Sequence, residues 1–419
     1  MRQMKNSKIE WVGEIPEHWE THPIYYYFGE RKHKNSLGKE NNLLSLSYGK
    51  VIRKDIATTE GLLPENYNGY NIVEKGDIVL RLTDLQNDKR SLRTGLVNEK
   101  GILTSAYVTL RPIKEECSLY FHYLLHAYDI MKVFYNMGNG VRQGLNFDEL
   151  SKCMLIAPPI SEQKAIAGFL DKKCGEVDAL IADIQQEIET LEQYKRSVIT
   201  EAVTKGLDPS VPMKDSGAGW MPTVPAHWLV EKIKYHLHLK TQKNMSDRQV
   251  LSLYRDYGIV PKDSRDDNHN VTSEDTSSYR FVRVGDFVVN KMKAWQGSVA
   301  VSQYEGIVSP AYFVYEFIDE SFDKKYFHYL LRNKSYTIEF MRLSGGIRVG
   351  QWDLPAEAFE NTLVLIPPIE EQQQIADYLD KKCKEIEEII ADKQSQIETL
   401  ESYKKSLIYE CVTGKKEVG

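Results

Sequence analysis

The sequence repeats itself, and that repeat restricts the fold before any other feature is considered. Trp11 to Trp19 (WVGEIPEHW) returns as Trp220 to Trp228 (WMPTVPAHW), and Pro158 to Lys173 (PPISEQKAIAGFLDKK) returns as Pro367 to Lys382 (PPIEEQQQIADYLDKK). Both pairs are offset by 209 residues in a chain of 419, so two tandem copies of one unit account for nearly the whole length. A chain built this way is expected to present two similar surfaces related by a pseudo-two-fold axis.

The copies have diverged unevenly. Their last quarters are close to identical: Ile188 to Glu192 (IETLE) equals Ile397 to Glu401, and FLDKKC at Phe169 pairs with YLDKKC at Tyr378. In the middle only islands align, such as Leu44 to Leu46 with Leu251 to Leu253, Gly76-Asp77 with Gly285-Asp286, and YFHYLL at Tyr120 with YFHYLL at Tyr326. A constant frame therefore carries two variable modules.

The frame reads as long helix. After Ser161 the run to Gly206 has no proline, and it opens just past the helix-stopping Pro158 and Pro159. Val177, Ile181, Ile184, Ile188 and Leu191 follow a 4-3-4-3 spacing, the pattern of a coiled-coil seam. The second copy offers Leu379, Cys383, Ile386, Ile390, Ile397 and Leu400, with Lys393 standing where the first has Ile184. Each helix should span roughly 65 Å. So narrow a stripe on so charged a helix needs a partner helix. The chain can supply one if the two helices pack antiparallel; pairing with helices of another subunit is the alternative.

The modules mix short strands and helices, giving an α+β fold class with one core per module. Tyr70 to Leu82 and Tyr279 to Asn290 each read as strand, Gly-Asp turn, strand. Leu119 to Tyr135 and Phe322 to Leu343 read as amphipathic helices. Glycine-punctuated loops follow, Gly138 to Gly144 (GNGVRQG) and Gly345 to Gly350 (GGIRVG), each leading into a strand.

Charge at first argues against nucleic acid, because the net value is −6. Its distribution reverses that reading: residues 161–205 carry −3 and residues 370–419 carry −4, which leaves +1 for everything else. Both modules then place basic and amide or aromatic residues after the Gly-Asp turn, TDLQNDKRSLR (83–93) after Arg81 in the first and KMKAWQ (291–296) in the second. Arginine reads guanine, glutamine and asparagine read adenine, and lysine anchors phosphate. A loop that keeps its place while its sequence changes completely points to binding rather than to a solvated turn.

Motifs for catalysis give little. The glycines of GNGVRQG neither follow a buried strand nor open a Rossmann helix, no GxxxxGK[ST] occurs, and APPI and IPPI lack the flanking residues that amino-methyltransferases use. His236 and His238 form an HxH without a third ligand and read as strand residues. Five cysteines without a CxxC pair suit a reducing cytosol, and Cys174 and Cys383 read as small core residues. The start MRQMKNSKIEW lacks the apolar run of a signal peptide, and no segment is long and apolar enough to span a membrane. The expected place is the cytoplasm.

Taken in order and twice over, these marks resemble the specificity subunits of type I restriction-modification systems. The resemblance rests on the Trp-x-Gly-x-Ile-Pro-x-His-Trp opening (11–19, more loosely 220–228), the Pro-Pro-x-x-Glu-Gln helix start (158–163 and 367–372), GDIVLRLTDLQNDKRSLRTGLV (76–97) and GDFVVNKMKAWQGS (285–298). It implies target-recognition domains at 1–157 and 207–366, joined by spacer helices at 158–206 and 367–419. Each domain would read half of an asymmetric bipartite site on double-stranded DNA, the half-sites about one helical turn, ~34 Å, apart or somewhat more. The helices would dock two modification subunits that use S-adenosylmethionine to methylate adenine at N6 on a flipped-out base. Restriction subunits using ATP would complete the nuclease. This chain itself is expected to hold no cofactor, metal or catalytic residue. The second copy's WMPTVP lacks the glycine found between Trp11 and Pro16, so its turn should differ locally.

Candidate DNA contacts in the first module are Arg53, Lys54, Arg81, Gln86, Asn87, Lys89, Arg90, Arg93, Arg142 and Gln143. In the second they are Lys262, Arg265, Lys291, Lys293, Trp295, Gln296, Arg348 and Gln351, with Arg142 and Arg348 in matching glycine-rich loops. Trp11, Trp19, Trp220 and Trp228 are expected in the cores. A coiled-coil scaffold whose modules bind protein is the competing reading; it explains the helices and the acidity but not two divergent basic loops.

Overall fold

The structure, a computed structural model, describes residues 2–56, 66–85, 92–137, 144–255, 257–264, 272, 275–346 and 352–418. The chain divides into two compact units whose limits fall inside the long helices: one comprises Met1–Ile184 with Gln394–Gly419, the other Gln185–Lys393. The long helices are Ile160–Lys205 and Ile369–Val412, so each contributes to both units.

In the first unit an antiparallel four-stranded sheet runs in the order Phe28–Glu30, Val108–Pro112, Ile78–Leu80, Thr94–Leu96. The second unit repeats that order with Leu237–Lys240, Tyr312–Phe317, Phe287–Asn290 and Val299–Val301. The Gly-Asp turns precede the third strand of each order. Gly76 and Gly285 lie at φ +93° and +91°, which a residue with a Cβ resists. The following aspartate caps the turn: Asp77 accepts from the Glu74 amide at 2.9 Å and Asp286 from the Arg283 amide at 2.7 Å. Each carboxylate also meets a cation from the sheet's first edge, Arg31 at 2.9 and 3.0 Å or Lys240 at 2.6 Å. The strands flanking each turn do not pair with one another. Asn71–Val73 pairs instead with Gly101–Leu103, and Arg280–Val282 with Gly306–Val308.

One expected helix is two. Lys324–Arg332 and Lys334–Leu343 are separated at Asn333, whose side chain accepts from the Ser335 and Tyr336 amides and restarts the helix. In the first unit the corresponding helix is Ser118–Ile130, with a short 3-10 turn at Val133–Asn136.

Two motifs that the copies share explain each other. In the Pro-Pro-x-x-Glu-Gln segment, Glu162 accepts from Trp19 Nε1 at 3.0 Å and lies 2.6 Å from His18 Nε2. Glu371 does the same with Trp228 at 3.1 Å and His227 at 2.7 Å. The neighbouring glutamines donate back to Pro158 and Pro367 at 3.0 and 2.8 Å and accept the Cys117 and Asp323 amides. The His-Trp opening thus clamps the start of the long helix in its own copy. Trp19 and Trp228 are fully buried as expected, but Trp11 and Trp220 are only half-buried, edge-on to Tyr128 and Tyr336. The anticipated turn difference is real: Gly13 has φ +72°, whereas proline at its counterpart Pro222 forbids that value.

Each unit is completed by the far end of the other copy's helix. Leu407, Ile408, Cys411 and Val412 enter the first core, and Tyr120 Oη lies 3.0 Å from the Val412 carbonyl. Ala202 and Val203 enter the second core, with Tyr326 Oη 3.4 Å from the Val203 carbonyl. Within each unit the helices run antiparallel. Asp178 pairs with Lys404 in the first, while Lys195 pairs with Glu387 and Lys393 with Glu187 in the second. Lys393, which interrupts the apolar stripe, thereby finds a carboxylate. Val177, Leu379, Ile386 and Ile397 are buried, whereas Ile181, Ile184, Ile188, Leu191, Ile390 and Leu400 are half-buried, since a two-helix seam leaves its flanks open. Among the described residues, no helix is long and apolar enough to cross a membrane.

Candidate nucleic-acid interface

In each copy the same backbone bond joins residues that flank the two loops singled out from the sequence. In the first unit the Leu145 amide donates to the Leu82 carbonyl at 2.9 Å, and in the second Leu354 donates to Lys291 at 2.9 Å. Both members of the pair shift by 209 residues between copies. Leu85 and Ala294, also equivalent, are fully buried and root the first loop in the core.

In the second unit side chains reinforce the junction. Lys291 Nζ donates to Asp353 at 2.9 Å, and Gly345 and Asp353 exchange backbone hydrogen bonds at 3.1 and 2.9 Å. The indoles of Trp295 and Trp352 pack with centroids 5.3 Å apart, and Trp295 Nε1 donates to the Met292 carbonyl at 3.0 Å. Trp352 was not anticipated; its place directly after the glycine-rich loop was the available signal. Met292, Lys293 and Gln296 are exposed beside this pair. The returning strand is braced by His328, whose pKa burial lowers to about 3, so that its neutral Nδ1 accepts the Val301 amide at 3.3 Å.

In the first unit the loop is braced by Arg93, and this reassigns one candidate. The side chain is buried, and its guanidinium donates to the carbonyls of Arg81 at 3.0 Å, Thr83 at 2.5 Å and Asp84 at 2.8 Å. Its own amide donates to the buried Asp129 at 2.9 Å, and Tyr135 lies 5.9 Å from the guanidinium. Asp84 has φ +57°, which turns successive carbonyls toward that cation. Arg93 therefore holds the shape of the segment that opens the loop.

The other described candidates are at the surface. Arg81 is exposed at the loop's start, and Lys54 and Lys262 follow the hairpins Leu44–Ser47/Lys50–Arg53 and Leu251–Tyr254/Gly258–Pro261. Those hairpins are held alike, the Lys54 amide donating to Leu43 at 2.8 Å and the Lys262 amide to Val250 at 2.9 Å. Lys262 Nζ also meets Thr272. Arg53 pairs with Glu99, which raises the guanidinium's pKa through hydrogen bonding and charge; the pair is exposed and adds little stability. Gln86, Asn87, Lys89, Arg90, Arg142, Gln143, Arg265, Arg348 and Gln351 lie outside the described residues.

Sequence reasoning missed Arg280. Its guanidinium lies 5.5 Å from the Phe313 ring, on the strand that pairs Val289 at the root of the loop. Burial lowers its pKa, and its Nε and Nη1 have no hydrogen-bond partner among the described residues. His236, by contrast, is accounted for by Glu231 and Asp319, each 3.0 Å from a ring nitrogen. The described guanidinium, ammonium, amide and indole groups beside these junctions suit recognition of a polyanion with readable edges.

Comparison with known proteins agrees with that chemistry. The sequence profile of the family described as Type I restriction modification DNA specificity domain matches residues 20–190 and 239–399. The chain is 23% identical over 431 aligned positions to the putative type I restriction enzyme MjaX specificity subunit of Methanocaldococcus jannaschii, covering 99% of this chain and 97% of that one. It is 26% identical over 362 positions to that organism's type I restriction enzyme MjaVIII specificity subunit, covering 83% and 80%. Its fold is similar to a chain of a type I R-M system solved for its complex assembly and conformational transition, with TM-score 0.68, 12% identity and coverage of 96% and 99%. It is also similar to the HsdS subunit from Thermoanaerobacter tengcongensis, with TM-score 0.51, 13% identity and coverage of 96% and 98%.

Proposed function

The chain belongs to the family of type I restriction-modification DNA specificity subunits, which recognise DNA without catalysing its modification, and on that premise we propose that it reads an asymmetric, bipartite duplex site with one module on each half. The observation that carries this reading is the repeated junction of two loops. The same backbone bond, Leu145 to Leu82 and Leu354 to Lys291, stands between a first loop whose sequence differs completely between the copies and a glycine-rich second loop that keeps Gly-Val/Ile-Arg-x-Gly. A constant scaffold under divergent basic and aromatic loops is what two modules need if they perform one task on two sequences.

Exposed Arg81, Lys54, Lys293 and Gln296, with Trp295, are the described side chains assigned to base and phosphate contact. Gln86, Asn87, Lys89, Arg90, Arg142, Gln143, Arg265, Arg348 and Gln351 are assigned with them on their sequence positions. Arg93 is assigned to loop shape instead. Adenine N6 methylation, with extrusion of the target base, belongs in this proposal to two S-adenosylmethionine-dependent modification subunits, and cleavage to ATP-dependent restriction subunits.

Matched apolar side chains on the helices support docking of two like partners. Leu180 is 50% exposed and its counterpart Ile389 46%, while Tyr194 and its counterpart Tyr403 are each 50% exposed. The antiparallel register brings Leu180 level with Tyr403 in the first unit, and Ile389 level with Tyr194 in the second. Each unit thus offers the same apolar pair to a protein partner.

The test is single-molecule sequencing of genomic DNA from cells that express the chain with its modification subunit, compared with cells lacking the chain. A gapped, asymmetric motif bearing N6-methyladenine only when the chain is present is the expected result. No new methylation from a folded, associated complex would overturn the reading.

A further inference from the structure

The second module carries an apolar cluster at its loop junction that the first has no residues to build. Counted back by 209 positions, Met292 and Trp295 fall on Thr83 and Gln86. The glycine-rich loops also end differently. The first copy passes directly from Gly144 to Leu145, whereas the second has Gln351, Trp352 and Asp353 between Gly350 and Leu354. The two changes meet in the fold. Trp352 packs on Trp295 with centroids 5.3 Å apart, and Asp353 accepts from Lys291 at 2.9 Å.

The polar groups of this cluster are largely taken up within it. The Met292 amide donates to Asn290 Oδ1 at 3.1 Å, and the Met292 carbonyl accepts from Trp295 Nε1 at 3.0 Å. That second bond uses the one polar atom of the Trp295 side chain, and Asp353 holds the Lys291 ammonium. The same bonds fix the backbone of Met292 while leaving its side chain 46% exposed. Both indoles are half-buried, and Lys293 and Gln296 are exposed beside them. The surface left for a ligand is therefore a rigidly held thioether and indole between groups suited to phosphate and to a base edge.

We propose that Met292 and Trp295, with Trp352 packed on the latter, bind the methyl group of a thymine in the half-site read by the second module, from the major groove; this rests on the recognition reading above. Base edges in that groove are hydrogen-bonding groups except for the thymine methyl, which is apolar. A thioether, and an indole whose N–H is already bonded, cannot satisfy the donors and acceptors of a guanine, cytosine or adenine edge, and covering those groups would strip them of water. Packed on thymine, the same surface buries a methyl group instead. Lys293 anchors phosphate in this arrangement, and Gln296 reaches the edge of an adjacent base. With Thr83 and Gln86 in place of Met292 and Trp295, the first module lacks this cluster, so the contact belongs to one half-site alone.

The test uses the complex of the full chain with its modification subunits, and duplexes carrying the motif found by methylation sequencing, with binding read by fluorescence anisotropy. Each thymine of the motif, on either strand, is replaced in turn by deoxyuridine, which removes the methyl group and keeps base pairing. One such replacement should weaken binding about 4-fold, the equivalent of one buried methyl group. In Met292→Gln, a change at an exposed position, that replacement should cost less than about twofold, while penalties elsewhere in the motif stay as in the parent. Trp295→Ala should abolish the same difference. A motif in which no deoxyuridine weakens binding overturns the proposal, as does a penalty that both variants leave undiminished. Variants that weaken binding to thymine and deoxyuridine duplexes alike also overturn it, because they assign the cluster to loop shape or to a wedge between bases. If the parent complex shows no preference for the motif over unrelated duplex, the recognition reading falls; if that preference stands without a methyl effect, only this inference does.

Discussion

Replacing Arg93 by alanine separates a loop-shaping arginine from a base-reading one. The guanidinium spans three carbonyls at 2.5 to 3.0 Å, and the side chain is buried. Hydrogen bonds from a charged donor contribute ~1.5–3 kcal/mol each when their loss leaves a buried acceptor unmet. Here Arg81, Thr83 and Asp84 are exposed residues, so water can reach part of the vacated site, and the contributions fall toward ~1 kcal/mol per bond. The sum is about 2–4 kcal/mol, large for a single substitution. Because the two units need not unfold together, the readout is hydrogen exchange of the strands Ile78–Leu80 and Thr94–Leu96 rather than a global melting temperature. Protection there should fall by a factor of at least about 30 in Arg93→Ala. Arg93→Lys should recover only part, since one ammonium cannot span three carbonyls. DNA affinity should drop without a change in which bases are preferred. Unchanged protection together with altered base preference would refute this account and return Arg93 to the reading surface.

Three further outcomes follow from the same geometry. Burial alone would raise the Glu162 carboxyl, but hydrogen bonds from His18, Trp19 and Arg2 outweigh it and hold the group below its ordinary value of 4.5. A folded pKa depressed in this way contributes stability above the ordinary range and loses it as pH falls through the folded value. Urea midpoints of the first unit should therefore decline below about pH 4.5, and less so in Glu162→Gln; equal acid slopes would contradict the clamp. A Cβ on Gly101 would sit 2.5 Å from the Asn42 carbonyl, and one on Gly306 would press on the Gln249 carbonyl. Gly101→Ala and Gly306→Ala should each cost ~1–3 kcal/mol in chemical denaturation and disturb the hairpin beside them, and unaltered midpoints would show that the strands yield freely. Leu180→Glu and Ile389→Glu should leave stability within about 0.5 kcal/mol, because both side chains are at the surface, yet lower the number of modification subunits that co-purify. Retained stoichiometry would remove this surface from the docking proposal.

Much of the molecule was legible in one dimension because the relevant physics is local or repeated. The 4-3-4-3 apolar spacing marks a seam whatever the partner, the proline pairs mark where the helices begin, and the Gly-Asp turns need a positive φ that glycine alone adopts without strain. The duplication set the domain count, and the persistence of loop position against loss of loop sequence located the candidate interface. Boundaries decided by single side chains were less visible. Asn333 breaks a helix that periodicity joins across it, because an amide cap outweighs a continuous apolar face at that point.

Only the tertiary structure decided which segments complete each core and which way a charged side chain turns. The repeating unit of the sequence is not the folding unit. The end of the second long helix is built into the first core, where Tyr409 reaches the Trp11 carbonyl across 398 residues of sequence. No local pattern encodes that pairing, because it depends on two surfaces meeting after both helices exist. Arg93 shows the same division on a smaller scale. As a letter it is one more cation in a basic loop, but the bend at Asp84 aims three carbonyls inward, and burying them without a donor would cost more than burying the guanidinium that satisfies them.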